Sequence, residues 1–445
     1  MKTLLNLVYI VLLTALSPWL LYRAIFLKKN RRGWWTKLTG RVPCRESDST
    51  CIWLHAVSVG EVNLLRPVMD RLSHELPGCD FAISTTTETG YDLARTMYGE
   101  CTVFYCPFDF SWAIRNVIAN IRPSLLVLAE LELWPNLISV THQHGIPVSL
   151  VNGRISHTSF ENYGRFKWFW KPLLGQVANV GVQNPEYARR MMMLGVDQQK
   201  IQVTGNVKFD GANTNPENEK TRQLKDLVGL RPDDFVFVAG STQLEEDEMA
   251  AEVFLRLREF SRNLRLILVP RHIQRSGKLK RDLIEMGLTV QLRSELMDQT
   301  NNKVFDTSDV LIVDVIGELS SWWGLASVAF VGGTMGKRGG QNMIEPAAYG
   351  VPVCFGPNTW NFRDVVQLLL DQHAAQVVCS NEELFDFVRA SIEQPQLAQQ
   401  MGLRGQQLVV QQRGAVERTV AMLVKILSTE KSLESSSDSE QSAAA

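Results

Sequence analysis

Two carboxylate positions follow short apolar runs at points where a helix-like pattern begins. In the stretch IWLHAVSVGEV, Glu61 falls at or near the first turn of a predicted helix, after a tight turn that Gly60 permits. The positive end of a helix favours a charged carboxylate, so we expect Glu61 to stay ionised at neutral pH. Two interpretations stay open: a functional carboxylate, or one that only complements the helix dipole.

The second position is the segment AELELWPNL, in which Glu130 and Glu132 end a predicted strand and Pro135 opens a helix. We expect one of these glutamates to be functional and the other to be paired or solvated. A metal clamp built from both carboxylates is a weaker alternative.

A glycine-rich segment, FVGGTMGKRGGQNMIEPAAYG, follows a buried strand that ends at Val331 and precedes a short helix that begins near Asn342. Glycines bring backbone N–H groups close to an anion, and a helix N-terminus adds partial positive charge. The spacing is not that of a P-loop, and no acidic ribose ligand follows a GxGxxG, so a dinucleotide is disfavoured. Glu345 is placed to accept hydrogen bonds from sugar hydroxyls. The alternative is a glycine loop that only turns a corner.

Polar groups also end three further predicted strands, where ligands of open α/β sheets bind. Arg271 is a candidate fork for phosphate, and Lys208 in TGNVKFD is a second cation within reach of one. Individually each is as consistent with a surface charge, and their convergence on one rim is what favours a site. The remaining members of this set are Ser241, Thr242, Pro270, His272, Ile316, Gly317 and Glu318.

The elements that must position these groups alternate between β-rich runs and amphipathic helices. Fully apolar runs such as LLVLA are typical of strands buried on both faces of a parallel sheet. The alternation restarts after an Asn/Gly/Pro-rich segment, which predicts two doubly wound α/β domains that face a cleft. We place the first domain at residues 28–207, the second at 208–428, and a disordered tail at 429–445.

Composition limits the function classes. The chain has 445 residues, with 46 Lys plus Arg against 47 Asp plus Glu, so a global nucleic-acid footprint is absent. Seven cysteines, an odd count without a CxxC pair, argue against a disulfide framework or a structural zinc site. We expect a reducing compartment for the body of the protein. No obligate protein partner is predicted.

Residues 1–27 differ from the rest. Arg23 is the only charge from Thr3 to Leu27, and a run of about 25 residues is long enough to cross a bilayer. The basic residues that follow place the C-terminal side in the cytoplasm, which predicts a single-pass anchor with the body of the protein on the cytoplasmic face of the membrane. Pro18 interrupts the run, so a helix lying in the membrane interface is the alternative.

Taken as a set, these motifs resemble the 3-deoxy-D-manno-octulosonic acid (Kdo) transferases. The segments that carry the resemblance, in order to about residue 420, are HAVSVGE, LELWPNL, NGRIS, TGNVKFD, LVPRH, GEL, RGGQNMIEPAA and GPNTWNFRD. The resemblance implies a membrane-anchored glycosyltransferase of GT-B fold, with its catalytic domains on the cytoplasmic face of the inner membrane. It also implies inverting transfer of Kdo from CMP-Kdo to a lipid A precursor (lipid IVA), in lipopolysaccharide core biosynthesis.

The resemblance implies roles position by position. Glu61 resembles the general base, and Glu130 and Lys208 resemble the groups that stabilise the transition state. The CMP-binding segments correspond to Pro270 and Arg271, to Ile316, Gly317 and Glu318, and to Asn342, Met343, Ile344 and Glu345. The sequence departs from the family at DVIGEL, GSTQ and GGQN, so the resemblance does not carry side-chain contacts to the nucleotide over to these segments.

No metal or cofactor is predicted, because a CMP-sugar departs as a monophosphate whose charge cations and a helix end can hold. The acceptor is an anionic lipid. Basic and aromatic residues alternate in GRFKWFWKPLL (residues 164–174), which suits a phosphate-bearing membrane surface or, alternatively, an amphipathic helix with aromatics in the core. Arg154 is a candidate for a lipid phosphate. Two functions compete with this one. The first is a GT-B transferase or epimerase that uses another nucleotide sugar, and the second is an inactive membrane-bound binding homologue.

Overall fold

The computed structural model describes residues 2–26, 32–298 and 309–428. The predicted tail at 429–445 lies outside these residues. By its backbone contacts the chain divides into two units: the residues up to Asp210 together with those from Arg413 onward, and the continuous segment Gly211–Gln412.

Unit 1 is built on a parallel sheet. Its strands are β1 (Cys51–Ala56), β2 (Asp80–Thr85), β3 (Thr102–Tyr105), β4 (Leu125–Ala129), β5 (Val148–Gly153), β6 (Asn179–Val182) and β7 (Ile201–Val203). Its first helices are α1 (Lys2–Phe26), α2 (Trp34–Thr39), α3 (Val59–Glu75), α4 (Glu88–Met97), α5 (Ser111–Ile121), α6 (Pro135–Gln143), α7 (His157–Arg165), α8 (Lys167–Leu174) and α9 (Pro185–Leu194).

The strand order in unit 1 is β3-β2-β1-β4-β5-β6-β7. Helices cover both faces of this sheet, since Trp53 of β1 packs in one core cluster and its neighbours Ile52 and Leu54 pack in another. A strand buried on both faces needs apolar residues at every position, which explains the continuous apolar runs. The chain runs outward in both directions from β1 and β4, so the switch point lies between these strands.

Unit 2 repeats this plan. Its strands are β8 (Phe235–Thr242), β9 (Leu264–Pro270), β10 (Val290–Leu292), β11 (Val310–Ile312), β12 (Val328–Val331), β13 (Val353–Phe355) and β14 (Ala375–Val377), in the order β10-β11-β9-β8-β12-β13-β14. Its helices are α10 (Glu219–Val228), α11 (Leu244–Arg258), α12 (Ser276–Glu285), α13 (Leu319–Trp323), α14 (Ile344–Ala348), α15 (Arg363–Asp371), α16 (Asn381–Glu393) and α17 (Pro395–Gln412). The switch point lies between β8 and β12.

The end of the described chain belongs to unit 1. A final helix, α18, covers residues 415–428, and Ala415, Val420 and Leu423 pack in the same core cluster as β1 and α3. Lys208 also lies in unit 1. Both features differ from the domain limits drawn from the sequence, because a helix far along the chain carries no local signal of the sheet it covers.

Helix α1 contacts the rest of unit 1 through polar side chains. The Asn6 amide donates to Ser111 Oγ at 2.7 Å, and the Tyr9 hydroxyl donates to Asp109 Oδ2 at 2.9 Å. Leu7 and Val11 are exposed. Within the described residues no helix has both the length and the apolar character of a membrane span, so the predicted membrane-crossing helix at residues 1–27 is not supported.

Candidate active site

Glu61 lies in the first turn of α3, at the switch point of the unit 1 sheet. Its Oε2 accepts a hydrogen bond from the backbone N–H of Val57 at 2.7 Å, and its Oε1 accepts one from the Ser58 hydroxyl at 3.1 Å. These bonds hold the carboxyl over the start of the helix, where Ser58 is the N-cap residue. Gly60 is within the helix and has no positive φ, so the predicted glycine-dependent turn is wrong.

The pKa of Glu61 is raised to about 7, first by burial and also by the charges of Glu132 and Glu130, against the hydrogen bonds from Val57 and Ser58. The prediction that Glu61 stays fully ionised at neutral pH is therefore wrong. The positive end of the helix favours the ionised carboxyl, but burial away from water and the neighbouring carboxylates disfavour it more strongly. A carboxyl with a pKa close to the working pH is suited to accept a proton.

Glu130 and Glu132 lie in the turn that follows β4, after that strand has ended at Ala129. Glu130 has φ +55°, a left-handed conformation that is strained for a residue with a side chain. The charges of both carboxylates raise the pKa of Glu61. That one of them is functional and the other paired or solvated stays a prediction. Burial raises the pKa of Glu132, and the Trp134 indole N–H donates to its Oε2 at 3.0 Å.

Lys208 pairs with Glu130 across the same edge of the sheet. Its Nζ lies 3.4 Å from Oε1 of Glu130, and both side chains are about one third exposed. The short 3-10 turn that carries Lys208, Val207–Phe209, is held because Asn152 Oδ1 accepts the backbone N–H of Val207 at 3.1 Å. Asn152 is itself in the left-handed region, at φ +54°. Strained backbone thus accompanies both members of this pair.

Two further residues complete the description of this edge. Arg154 directly follows β5 and is half-buried. His55, inside β1, is fully buried, and its Nδ1 is 2.9 Å from Ser84 Oγ. Burial lowers the pKa of His55 to about 4, so the ring is neutral at pH 7 and braces the strand end.

In unit 2 the glycine-rich loop after β12 is organised by an internal carboxylate. Glu246 of α11 is 1% exposed and accepts backbone N–H groups from Gly333, Thr334 and Met335 at 2.7, 2.8 and 2.9 Å. It also accepts the N–H of Gln243 at 2.7 Å, as in a capping box. The predicted anion-binding amides exist, but in residues 333–335 the anion they hold belongs to the protein.

Sequence reasoning missed Glu246. The only local signal is the Gln-x-x-Glu spacing of the capping box, which predicts the bond to Gln243 and not the contact with a loop almost ninety residues later in the chain.

The predicted donors around this loop lie at the ends of β8 and β9. Ser241 has φ +57°, and the N–H of Arg271 donates to the carbonyl of Thr242 at 3.0 Å. The carboxylate of Asp247 accepts from the Thr242 hydroxyl and pairs with Arg275. Pro270 ends β9 and places Arg271 at the sheet edge. Burial and the charge of Arg338 lower the pKa of Arg271.

The segment Ile316–Glu318 has fewer side-chain groups available to a ligand than its residue types indicate. Glu318 forms a two-pronged pair with Arg293, at 3.0 and 2.9 Å, and also accepts the Trp322 indole N–H at 3.2 Å. The Glu318 carboxylate is therefore already hydrogen-bonded within the protein, and only the backbone groups of Glu318 are available to a ligand. Ile316 is 85% exposed and Gly317 has φ +92°, so the apolar side chain stands out from a sharp turn.

Two side chains of the segment Asn342–Glu345 belong to the core, and the other two are available to a ligand. Met343 and Ile344 are fully buried, which excludes their side chains from a ligand. The Asn342 amide donates to Glu345 Oε1 at 2.9 Å, and burial raises the pKa of Glu345. The side chains of Asn342 and Glu345 are thus the available members of this predicted set.

Among the described residues no cluster of three or more His, Cys, Asp or Glu side chains has the arrangement of a metal site. Glu61, Glu130 and Glu132 influence one another electrostatically without forming such a group.

Two parallel α/β sheets, one in each unit, are consistent with a GT-B fold. A UDP-GlcNAc 2-epimerase from Neisseria meningitidis, solved with UDP-GlcNAc bound, superposes with a TM-score of 0.57 at 12% identity, over 84% of this chain and 100% of that one. At this identity the likeness concerns the fold alone.

The family follows from sequence comparison. The family model for 3-Deoxy-D-manno-octulosonic-acid transferase (kdotransferase) matches residues 29–211. The 3-deoxy-D-manno-octulosonic acid transferase of Haemophilus influenzae is 31% identical over 375 residues, which cover 84% of this chain and 86% of that one. The transferase of the same name from Chlamydophila psittaci is 35% identical over 72% of this chain and 73% of its own. The chain belongs to the Kdo transferase family and is a glycosyltransferase.

Proposed function

We propose that the protein transfers Kdo from CMP-Kdo to a hydroxyl group of a lipid A precursor, with inversion at the anomeric carbon, in lipopolysaccharide core biosynthesis. The observation that carries the proposal is the carboxyl of Glu61, with its pKa of about 7, beside the Glu130–Lys208 pair at the switch point of unit 1. Family membership supports the sugar.

The proposed reaction is a single displacement. Glu61 accepts the proton of the acceptor hydroxyl while the oxygen of that hydroxyl attacks the anomeric carbon of Kdo. The bond from that carbon to the phosphate oxygen breaks, and CMP leaves with the bonding electron pair. Lys208 supplies positive charge for the transition state, and Glu130 holds the Lys208 ammonium in place. One base and no protein nucleophile are needed for inversion.

Donor binding is assigned to unit 2. Arg271 provides a cation for the phosphate, Glu345 and Asn342 provide acceptors and donors for ribose hydroxyls, and exposed Ile316 provides an apolar surface for the base. Backbone groups of Gly317 and Glu318 complete the set, because the Glu318 carboxylate is already held by Arg293. Pro270 and Ser241 are proposed to shape the wall of this site.

Acceptor binding is assigned to unit 1. We propose that it takes place at the cytoplasmic face of the inner membrane. The exposed aromatics Phe166 and Trp168, 57% and 77% exposed, alternate with Arg165 and Lys167, a composition that suits anionic lipid. Arg154 is proposed to contact a lipid phosphate. The exposed apolar side chains of α1 favour a helix that lies on the membrane surface.

No metal is proposed for this reaction, because Lys208 and Arg271 offer the charge that the departing phosphate needs. Transfer measured in excess chelator is expected to match transfer without it, and a strict metal requirement would contradict this assignment.

The deciding experiment incubates the protein with CMP-Kdo and lipid IVA and weighs the lipid products by mass spectrometry. One or more added Kdo masses support the proposal, and the number added is read from the same spectrum. Binding measured with cytidine and uridine nucleotides in competition tests the alternative of another nucleotide sugar. Binding of CMP-Kdo without any product would identify an inactive homologue.

A further inference from the structure

We infer that Arg338 in the glycine-rich loop, next to Arg271, is the receptor for the carboxylate of the transferred sugar acid. The inference rests on the proposed function, since it concerns how the same donor is recognised. Arg338 would thereby distinguish a sugar acid from a neutral sugar.

The first step is that part of the loop is closed to a ligand. The N–H groups of Gly333, Thr334 and Met335 are satisfied by Glu246, whose carboxylate is buried at the base of the loop. An amide that already donates to a buried carboxylate is not available to a second anion. The cationic side chains of Lys337 and Arg338, farther along the loop, are exposed and therefore remain available to a ligand.

The second step is that the backbone at Arg338 is held in a defined place. Asn361 donates its side-chain amide to the carbonyl of Arg338 at 2.9 Å and its backbone N–H to the carbonyl of Gly339 at 2.9 Å. Gly339 has φ +90°, and a Cβ there would lie 2.2 Å from the indole nitrogen of Trp360. The motif GPNTWNFRD therefore has a structural task, which is to brace the loop at Arg338.

The third step concerns the neighbour. β9 and β12 both flank β8, so Arg271 and the loop after β12 emerge at the same edge of the sheet. The Cγ of Arg338 approaches within 3.7 Å of the position of a Cβ on Gly333. The charge of Arg338 contributes to the lowered pKa of Arg271. Within the described part of the chain neither guanidinium has a carboxylate at salt-bridge distance, so the charges of this pair are uncompensated by acidic side chains.

The fourth step is the chemistry of the donor. In the proposed donor, an octulosonic acid linked to CMP, the anomeric carbon bears both the phosphate oxygen and the carboxylate. Two anions on one carbon call for two adjacent cations, and arginine binds a carboxylate through two parallel N–H groups. With Arg271 assigned to the phosphate, Arg338 is the neighbouring fork for the carboxylate.

The test compares two ligands, CMP and CMP-Kdo, because only the second has the carboxylate. Calorimetric binding is measured for wild type, Arg338→Gln, Arg338→Lys and Arg271→Gln. Arg281→Gln is the control, since Arg281 is an exposed arginine on α12. Arg338→Gln is expected to weaken CMP-Kdo binding about 10- to 100-fold and CMP binding less than about threefold. Arg338→Lys is expected to be intermediate, and Arg271→Gln to weaken both ligands.

Equal losses for both ligands in Arg338→Gln, or no loss for either, would overturn the inference. Thermal unfolding of each variant excludes a folding defect as the cause of a loss. If the wild type binds CMP-Kdo and Arg338→Gln changes the affinities for CMP and CMP-Kdo by the same factor, only this inference is contradicted. A wild-type protein that binds neither ligand contradicts the proposed donor itself, and the inference with it.

Discussion

The ammonium of Lys208 lies 3.4 Å from the carboxylate of Glu130, although 78 residues separate them in the chain. The two side chains meet because β4 and the turn after β7 end at the same edge of one parallel sheet. Glu130 reaches this position through a left-handed backbone conformation, which the surrounding turn must maintain. A strained residue in a charged pair beside Glu61 points to a function other than stability.

Lys208→Ala is expected to lower kcat roughly 100-fold or more, because it removes the cation assigned to the departing group. Glu130→Gln should have a smaller effect, and the double variant should resemble Lys208→Ala, since Glu130 acts through Lys208. Steady-state kinetics of the three variants form the measurement. Lys220→Ala, at an exposed position of α10, is the control. Additive effects would mean that the two residues act separately.

Glu61→Gln is expected to reduce transfer about 100- to 10,000-fold and to leave CMP binding nearly unchanged. In wild type the rate should rise with pH up to about 7 and then level, because a protonated carboxyl cannot accept a proton and burial raises the Glu61 pKa to about 7. A pH–rate profile of kcat checks this sign, with Glu46→Gln, an exposed glutamate, as control. Loss of CMP binding together with transfer would indicate a structural role for Glu61.

Glu246→Gln is expected to lower the free energy of unfolding by roughly 1–3 kcal/mol, because an amide replaces one of the two acceptor oxygens that hold the loop. CMP affinity should fall as the loop loosens. Chemical denaturation and calorimetry measure the two effects. Glu245→Gln, one residue earlier and exposed on the same helix, should change neither. An unchanged stability in Glu246→Gln would show that the loop has its shape without this carboxylate.

Tyr9→Phe is expected to loosen the contact of α1 with the rest of unit 1, at a cost of roughly 1–3 kcal/mol for a lost hydrogen bond to a carboxylate, while the Asn6 bond to Ser111 stays in place. The hydroxyl donates to Asp109 Oδ2, and the same carboxylate accepts N–H groups of Asn136 and Leu137 at the start of α6. Faster hydrogen exchange in α1 is the readout. Leu7→Ala, on the exposed side of the helix, should leave exchange unchanged. Equal protection in both variants would place the attachment elsewhere.

The sequence predicts the buried central strands, because uniform apolar runs such as Leu125–Ala129 are required wherever a parallel strand is covered on both faces. The three-residue strands β7, β10 and β14 are too short to show such a run. The sequence also predicts which strand ends carry polar groups. The Kdo transferase resemblance is confirmed by the family comparison.

The local sequence pattern could not predict properties of a residue that depend on partners far away in the chain. The pKa of Glu61 is raised first by burial in the folded unit and then by carboxylates some seventy residues along the chain. Glu246, whose carboxylate accepts the amides of the glycine-rich loop, comes from a helix far from that loop in sequence. The same limit applies to Glu318, whose carboxylate is taken by Arg293. The return of α18 to unit 1 has no local signal either.

That return has a practical consequence. Asp210 accepts the backbone N–H of Gly414 at 2.8 Å and also that of Val416, so the chain leaves unit 1 and re-joins it at neighbouring points. Unit 2 is therefore an insert in one uninterrupted piece, which a gene fragment for residues 211–412 would encode alone. Unit 1 would need only a short peptide bridge across the gap to be prepared without it, whereas trimming the chain before residue 415 would strip a core helix from the half that bears Glu61.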